Sequence, residues 1–218
     1  MKSKNTKTLV IGASGQIGKI LVEKLKSQGN SVVALVRNKS KAQRLTDVGI
    51  ETVIGDLEGD FEHAFKECNS VVFTAGSGGA TGYDKTLLID LWAAKKAVDY
   101  AKKNNVQHFV MVSGLGVADP EEFNTDLKPY LVAKHFADLY LMDSGVPYTI
   151  LRPGSLINTK GTGLIRTTRP SKSSELNIPR EDVASAINYA LSNDSLKGKT
   201  LELFTGTESI HTAFNSLK

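Results

Sequence analysis

The sequence predicts an α/β protein with a doubly wound parallel sheet, and two observations lead to that fold class. Short apolar runs rich in β-branched residues recur along the chain, as is typical of strands buried on both faces. Segments with apolar residues at i, i+3 and i+4 separate these runs and indicate helices. A chain that alternates strand and helix forms a parallel sheet with right-handed crossovers and helices on both faces. Its ligands bind at the carboxyl ends of the strands.

The predicted strands and helices follow one another in order along the first 154 residues. Six apolar runs predict strands, namely TLVIG (8–12), SVVALVR (31–37), ETVIGD (51–56), SVVFTAG (70–76), HFVMVSG (108–114) and YTILRPG (148–154). Five segments between them predict helices, at 16–29, 39–49, 61–68, 84–105 and 129–145. Several of these helical segments end at Gly or Asn, which are common residues at a helix C-terminus.

The pattern changes after the sixth predicted strand. Residues 156–179 are polar, basic and rich in Ser and Thr, before a helix at 179–194 and a strand at 199–206 are predicted. We interpret residues 1–218 as a single domain with a small C-terminal insertion, a flexible polar loop at about 156–178. Two interpretations of this loop stay open, a mobile cover over a bound cofactor and an exposed loop.

The composition limits the classes of function. The 218 residues, 40% of them hydrophobic, are enough for one well-packed core. Twenty-seven Lys and Arg and 23 Asp and Glu are interleaved and give a net charge of +4, with no basic run interleaved with aromatic residues. We therefore expect no nucleic-acid partner. The four histidines stand singly, so we predict no metal site.

The cysteine content and the first residues bear on location. With Cys68 as its single cysteine the chain forms no internal disulfide, which suits a reducing compartment. The first residues, MKSKNTK, are polar, and the apolar run after them is too short for a signal peptide core or a membrane span. We expect a cytoplasmic protein without membrane contact, either a monomer or a homodimer.

The first predicted strand runs directly into GASGQIG, which places Gly12, Gly15 and Gly18 three residues apart before a helix. Glycine tolerates positive φ and lets the backbone come close to a pyrophosphate, while the helix N-terminus offers free N–H groups. The alternative is a tight strand-to-helix turn without a ligand. The strand before, the helix after and the next strand are the context that a dinucleotide site requires, so the sequence predicts dinucleotide binding.

The end of the second predicted strand distinguishes NADP from NAD. An NAD site usually has an acidic residue here for the ribose hydroxyls, whereas an arginine accommodates a 2′-phosphate. The chain reads LVRNKSK, with Arg37 followed by Lys39 and Lys41 and no carboxylate. We therefore favour NADP over NAD, the alternative being a solvated basic turn at the start of a helix.

Several further motifs recur at strand ends and in helices. They are GASGQIG (12–18), GDL (55–57), TAG (74–76), VSG (112–114), YLVAK (130–134), LRPG (151–154) and REDVA (180–184). Together they resemble the short-chain dehydrogenases/reductases, in their small atypical branch of NAD(P)-binding, NmrA-like and epimerase-like proteins. The resemblance covers nearly the whole chain and implies a Rossmann-like fold that binds NAD(P).

The resemblance also implies which residues would surround the cofactor. The expected positions run from the pyrophosphate through the 2′-phosphate, adenine and ribose to the nicotinamide. In that order they are Gly12, Ser14, Gly15, Gln16, Ile17 and Gly18, then Arg37, then Asp56 and Leu57, then Ala75 and Gly76, then Lys134, Pro153, Gly154 and Ser155.

The same resemblance assigns catalytic roles within PYLVAK and VSG. In the Ser-Tyr-Lys arrangement of the family, Ser113 would hold the substrate oxygen, Tyr130 would transfer the proton and Lys134 would bind the nicotinamide ribose. Asp90 stands where better-known members carry an asparagine. Its role in a proton relay is one interpretation, and a solvated or Lys95- or Lys96-paired carboxylate is the other.

Tyrosine needs help to transfer protons, because a free phenol has a pKa of about 10. Tyr130 and Lys134 stand at i and i+4 and share a helical face, so we expect the ammonium to lower the pKa of the phenol. The alternative is that both residues lie on the surface of the helix without a catalytic role.

Three functions follow from these features. The first is an NADP-dependent oxidoreductase acting on a small carbonyl, hydroxyl or quinone-like substrate, with the hydride chemistry supplied by the cofactor. The second is an NADP(H)-binding sensor that regulates a partner without catalysis. The third, an NAD(P)-dependent epimerase or dehydratase, is weaker because only 64 residues follow Gly154, which leaves little room for a substrate lobe.

Overall fold

The computed structural model describes residues 7–123 and 125–217, so the domain predicted over residues 1–218 extends beyond the described residues at both ends. The strands occupy the following ranges: β1 (Lys7–Ile11), β2 (Ser31–Val36), β3 (Glu51–Ile54), β4 (Ser70–Phe73), β5 (His108–Val112), β6 (Tyr148–Pro153), β7 (Ser155–Ile157), β8 (Leu164–Arg166), β9 (Asn177–Pro179), β10 (Lys199–Thr205) and β11 (Glu208–Ser209).

Nine of these strands form one sheet in the order β11-β8-β10-β6-β5-β4-β1-β2-β3. The strands from β3 to β10 in this order are parallel, and β8 and β11 add an antiparallel edge. Strands β7 and β9 form a separate parallel pair. The strand order reverses between β1 and β4, which creates the crevice where doubly wound sheets bind ligands.

Helices cover both faces of the sheet. They are α1 (Gln16–Ser27), α2 (Lys39–Thr46), α3 (Tyr83–Lys85), a π-helical segment (Thr86–Ala93), α4 (Ala94–Lys103), α5 (Lys128–Asp143), α6 (Arg180–Leu191) and α7 (Ile210–Asn215). One core contains apolar residues of α1 and α6, and the other contains those of α4 and α5. In β1, Val10 enters the first core while Leu9 and Ile11 enter the second. Both faces are buried, which explains the continuous apolar runs.

The structure confirms the α/β class and the parallel sheet that the sequence predicts, with two corrections among the helices. The segment 61–68 forms only a short 3₁₀ helix, Glu62–Phe65. The helix predicted at 84–105 is interrupted by the π-helical segment, in which the hydrogen bonds reach one residue further along the chain.

The segment predicted as one polar loop at about 156–178 contains regular structure. It includes the end of β7, all of β8, a 3₁₀ helix (Ser173–Glu175) and the start of β9. Its charged side chains find partners, since Arg166 Nη2 lies 2.7 Å from Glu175 Oε2 and Arg169 pairs with Glu122 and Glu202. The secondary structure inferred from polarity was therefore wrong, while the mobility of the segment stays a prediction.

Candidate active site

A cavity of about 430 Å³ opens at the carboxyl ends of β1, β2, β3 and β4. Its walls come from the loops after these strands and from the start of the helical stretch that follows β4. The residues that line it are Gly12, Ser14, Gly15, Leu35, Val36, Arg37, Lys41, Gly55, Asp56, Leu57, Glu58, Thr74, Ala75, Gly76, Ser77, Thr81, Lys85 and Ile89. The cavity therefore lies where the strand order reverses, as the fold requires of a ligand site.

Two positions of the loop after β1 leave no space for a side chain. Gly12 has φ of +92°, and a Cβ there would lie 2.6 Å from the backbone nitrogen of Ala75. A Cβ at Gly18 would lie 2.2 Å from the carbonyl oxygen of Gly12. The first glycine thus permits the turn, and the second lets α1 pack directly against the end of β1.

The N-terminus of α1 is open to a ligand. Gly15 precedes the helix, no side chain caps its first N–H groups, and its first turn carries no acidic residue. Ser14 and Gly15 line the cavity, Gln16 is exposed, and Ile17 is buried beneath the turn. Uncapped N–H groups at the positive end of a helix dipole form an anion site, so this turn fits a pyrophosphate.

Basic side chains border the cavity at the end of β2. Arg37 is exposed and Lys41 half-buried, and neither forms an ion pair with any carboxylate in the parts of the chain that the structure covers. Lys39 is also exposed but does not line the cavity. Two unpaired cations beside the end of β2 suit an additional phosphate.

The loop after β3 forms another wall of the cavity. Asp56 accepts a hydrogen bond from the backbone N–H of Glu58 through Oδ1 at 3.0 Å, which shapes the turn. The Nζ of Lys96 donates to the carbonyl oxygen of Leu57 at 2.9 Å and holds this turn against the helices. Ala75 and Gly76 close the cavity from the end of β4.

The three residues expected beside the nicotinamide do not line this cavity. Pro153 and Gly154 are buried and Ser155 is exposed. Their backbones are tied to neighbouring strands, since the N–H of Gly154 donates to Leu203 at 2.9 Å and that of Ser155 to Leu176 at 2.8 Å. They lie at the carboxyl end of β6, further along the same sheet edge.

Lys134 is the most deeply buried basic residue that the sequence singled out. It is 1% exposed, and its Nζ donates to the carbonyl oxygen of Val112 at 2.8 Å and contacts Met111 Sδ at 3.9 Å. The ammonium lies 5.8 Å from the centre of the Phe73 ring. Burial lowers the pKa of Lys134, and the carboxylates of Asp138 and Asp90 oppose that change.

Tyr130 lies one helical turn before Lys134 and is half-buried. Its hydroxyl oxygen lies 3.5 Å from the position that a Cβ would take at Gly114, next to Ser113. Burial raises the pKa of Tyr130, and the negative charges of Asp90 and Asp138 raise it further. The pKa of Tyr130 therefore moves in the direction opposite to the lowering expected from Lys134, because desolvation of the phenolate dominates. The phenol is neutral at physiological pH.

Ser113 directly follows β5, and its hydroxyl is directed at a residue that the sequence analysis missed. Its Oγ donates to Asp138 Oδ2 at 2.8 Å, and Arg152 Nε donates to the same oxygen at 3.0 Å. Asp138 is 0% exposed, and its burial raises the pKa of the carboxyl group against the cations Lys134 and Arg152. One signal was available, since Tyr130, Lys134 and Asp138 are spaced by four and share a helical face.

Asp90 is buried in the π-helical segment and does not pair with a neighbouring lysine. Its Oδ2 accepts a hydrogen bond from the backbone N–H of Ser77 at 3.0 Å. Lys95 instead pairs with Asp99 at 2.6 Å. The interpretation of Asp90 as a solvated or lysine-paired carboxylate is therefore wrong, and its charge acts on Tyr130 and Lys134.

The predicted site residues thus form two groups along one edge of the sheet. The first surrounds the cavity at β1 to β4, and the second, Ser113, Tyr130, Lys134 and Asp90 with Asp138, is packed where α5 meets β5 and β6. Within the described ranges, no group of three His, Cys, Asp or Glu side chains is arranged to hold a metal ion. No helix among the described residues is long and apolar enough to cross a membrane.

Comparison with known proteins gives matches over nearly the whole chain. A protein-family model described as NAD(P)H-binding matches residues 12–194. A Bacillus subtilis protein named as an uncharacterised sugar epimerase, YhfK, is 41% identical over 97% of this chain and 100% of its own length. Sanguinarine reductase from Eschscholzia californica is 31% identical over 99% of this chain and 95% of its own.

The fold also matches a solved structure closely. A Bacillus halodurans protein, named as a proposed NAD-dependent epimerase/dehydratase, superimposes with a TM-score of 0.92 at 39% identity. The match covers 97% of this chain and 99% of the other. Two names thus point to epimerases and one to a reductase, all on the same architecture.

Proposed function

The chain belongs to the NAD(P)H-binding family of oxidoreductase- and epimerase-like Rossmann proteins, and on this premise we propose that it is an NADP-dependent oxidoreductase. Its substrate is a small carbonyl, hydroxyl or quinone-like compound. The observation that carries the proposal is the placement of Tyr130 one helical turn from the buried Lys134, on the same sheet edge as the uncapped N-terminus of α1.

The choice of NADP depends on charge at the end of β2. Arg37 and Lys41 border the cavity, and no carboxylate follows β2 to take ribose hydroxyls. An arginine at this position accommodates a 2′-phosphate, whereas an acidic residue repels it. The turn at Gly12, Ser14 and Gly15 would hold the pyrophosphate, and the turn at Asp56 and Leu57 would hold the adenine, because both turns line the cavity.

The nicotinamide, when bound, supplies a hydride to the substrate carbon in the reductive direction. Tyr130 donates its phenolic proton to the substrate oxygen as the carbonyl becomes an alcohol. A raised pKa keeps that proton on the phenol until negative charge develops on the substrate oxygen. The Lys134 ammonium stabilises the phenolate left behind, and the Ser113 oxygen retains lone pairs although its proton points to Asp138.

Space at the site favours a small substrate. The segment after β6 builds β7 to β9, α6 and β10, which complete the domain. Among the described residues, no separate lobe follows β6 to enclose a nucleotide sugar, so epimerase or dehydratase activity is the weaker candidate. The plant relative named as a reductase supports a reductase reading, and we take no substrate from it.

Calorimetric titration with NADPH and NADH is the first test, followed by NADPH consumption with a panel of quinones, aldehydes and ketones. We expect tighter binding of NADPH. Tyr130→Phe should lower kcat by about 10²–10⁴ and leave the Kd of NADPH unchanged, because only the proton transfer is lost. The matched control is Tyr140→Phe, on the same helix, whose hydroxyl donates to Asp99 at the surface. Equal rates in wild type and Tyr130→Phe contradict the proton role.

A second candidate, an NADP(H)-binding sensor without catalysis, rests on a different observation. Ser113 and Lys134 are sealed in the structure, and the Ser113 hydroxyl proton is engaged by Asp138. A sensor binds NADPH without consuming it across the whole panel, and its cofactor affinity does not respond to Tyr130→Phe. NADPH consumption across the panel therefore separates the two candidates, because the oxidoreductase consumes NADPH and the sensor does not.

We further propose a cytoplasmic location, and a monomer or a homodimer as the form in solution. The support for a reducing compartment is the lone Cys68, which is buried beside Lys7 and Glu67. Burial raises the pKa of its thiol to about 11, so the group remains an unreactive thiol.

A further inference from the structure

Asp138 is the residue of the second group whose role the family resemblance did not assign. Its Oδ2 accepts two hydrogen bonds, from Ser113 Oγ and from Arg152 Nε. Its Oδ1 has no hydrogen-bond partner among the described residues, although the side chain is completely buried. A half-satisfied buried carboxylate costs stability, so its presence calls for a function beyond packing.

Lys134, one turn earlier on α5, lacks hydrogen-bond acceptors, just as Oδ1 of Asp138 lacks a donor. Its three ammonium protons have one good acceptor, the carbonyl of Val112, and one weak acceptor, the thioether of Met111. No carboxylate oxygen lies within 4 Å of its Nζ in the part of the chain that the structure describes. The ammonium is therefore maintained by charges that act at longer range.

The charged and titratable groups that act on Lys134 come from the two helical elements beside it. Asp90 faces it from the π-helical segment, and Asp138 faces it along α5 itself, where Tyr130 also lies. Strand β6 contributes Arg152, which is held on Asp138, while β4 and β5 contribute only the Phe73 ring, the Met111 sulfur and the Val112 carbonyl. Asp138 is the larger of the two influences that favour the charged lysine.

We infer that Asp138 is a positioning residue for the proposed reaction: its Oδ2 fixes the Ser113 hydroxyl, and its carboxylate supplies negative charge one helical turn from the buried Lys134 ammonium. This inference rests on the proposed oxidoreductase function for its consequence in turnover. Arg152 holds the carboxylate in place from β6. Asp138 thereby links Ser113, at the end of β5, to the charged groups of α5.

The inference has a test that needs neither cofactor nor substrate. The Nζ of Lys134 is observed by NMR in protein labelled with ¹⁵N-lysine, with its signal assigned by its loss in Lys134→Arg. In Asp138→Asn, a nearly isosteric change, we expect Lys134 to lose its proton about one pH unit lower than in wild type. An unchanged midpoint overturns the inference.

A matched control uses a second Lys–Asp pair at the same helical spacing. Asp99→Asn removes the carboxylate from Lys95, a pair that lies on the surface of α4. This variant should alter the Lys95 signal and leave that of Lys134 where it was. Should Asp138→Asn fail to fold because Arg152 is left unpaired, the double variant Asp138→Asn, Arg152→Gln removes both charges. A smaller fall of the midpoint is then expected, because loss of the Arg152 cation partly offsets loss of the carboxylate.

Turnover gives the second readout. Activity needs the Lys134 ammonium, so kcat falls as pH rises through the pKa of Lys134, and this basic limb should move to lower pH in Asp138→Asn. The Kd of NADPH should stay within about twofold of wild type, because Asp138 is remote from the N-terminus of α1. Asp138→Glu should restore part of the rate. A lower kcat without a moved limb assigns Asp138 a merely structural role and overturns the inference. A wild type without turnover defeats the proposed function alone, and the NMR midpoint still decides the role of Asp138.

Discussion

The two halves of the crevice differ in how they use charge. At β1 to β4 the cavity is open, and Arg37 and Lys41 reach it without carboxylate partners among the described residues. At β5 and β6 the charges are sealed, with Lys134 and Asp138 almost inaccessible to solvent. An exposed cation attracts a phosphate at little cost in folding stability, but salt screens the attraction. A buried charge interacts more strongly with its neighbours and lowers the stability of the fold.

Under the proposed function, this difference would separate cofactor recognition from chemistry. Phosphate recognition needs free N–H groups and cations that a ligand can reach, so the first half keeps them uncapped and unpaired. Proton transfer needs a low-dielectric surrounding in which small displacements of charge alter protonation, and the second half provides it. Substitutions in the first half should therefore change affinity, and those in the second should change rate or stability.

The largest effect on the open half is expected from Gly12→Ala. The φ of +92° and a Cβ 2.6 Å from the Ala75 backbone force the turn to move. The N–H groups at the N-terminus of α1 then no longer point at the phosphate position. We expect the Kd of NADPH to rise at least about a hundredfold, with about 1–3 kcal/mol of lost stability. Calorimetric titration and urea unfolding measure the two effects.

Gly29→Ala is the matched control for this strain. Gly29 has φ of +77°, and a Cβ there would meet nothing within 4 Å. It should lose about 1–2 kcal/mol of stability for the backbone conformation and keep its affinity for NADPH. Equal affinities in the two variants would show that the turn after β1 does not hold the cofactor.

The two halves also differ in how far the sequence could predict them. Gly12, Gly15 and Gly18 lie within seven residues, and their conformations follow from a local turn. The motif was therefore sufficient to predict the strand-to-helix turn at residues 12–18. The sequence analysis missed Asp138 because a carboxylate on a helix is ordinarily solvated. Its burial depends on Arg152 from β6, which no local pattern reveals.

Long-range pairing also explains the misjudged segment after β6. Its polarity predicted a loop, yet Arg169 reaches Glu122 and Glu202, which lie 47 and 33 residues away in sequence. The parallel strands β1, β2, β4, β5 and β6, by contrast, were predicted because burial on both faces is recorded in each run itself. Secondary structure at the core can therefore be predicted from the local sequence. The ion pairs of a polar segment cannot, because their partners lie far away in the sequence.

A smaller effect on the open half is expected from Arg37→Gln. Removing the guanidinium should raise the Kd of NADPH about tenfold and leave that of NADH unchanged, because only NADPH carries the 2′-phosphate. Higher ionic strength should reduce the difference between the two coenzymes in wild type, since Arg37 is exposed.

Arg44→Gln controls for the loss of positive charge near α2. Arg44 is also exposed on this helix but does not line the cavity, so its removal should leave both affinities close to wild type. A Kd of NADPH that responds equally to both substitutions would reduce the role of Arg37 to general electrostatic attraction. A Kd of NADH that rises with Arg37→Gln would overturn the assignment of Arg37 to the 2′-phosphate.

The smallest effect, on the sealed half, has the opposite sign for stability. Burial lowers the pKa of Lys134 below its ordinary value of 10.5, so the folded chain resists the charged form at neutral pH. Lys134→Met keeps the apolar stem and removes the charge. We expect about 1 kcal/mol of added stability at pH 7, measured by urea unfolding, together with loss of turnover.

The pH dependence and a surface control make this last prediction decisive. The gain should shrink as pH approaches 10.5, because the lysine is then neutral in the folded chain and partly neutral in the unfolded chain. Lys102→Met, at an exposed position of α4, should change stability by no more than about 0.5 kcal/mol. If Lys134→Met is less stable than wild type, the lysine stabilises the fold through its hydrogen bond to the Val112 carbonyl. Its burial then has a structural explanation and does not require a catalytic one.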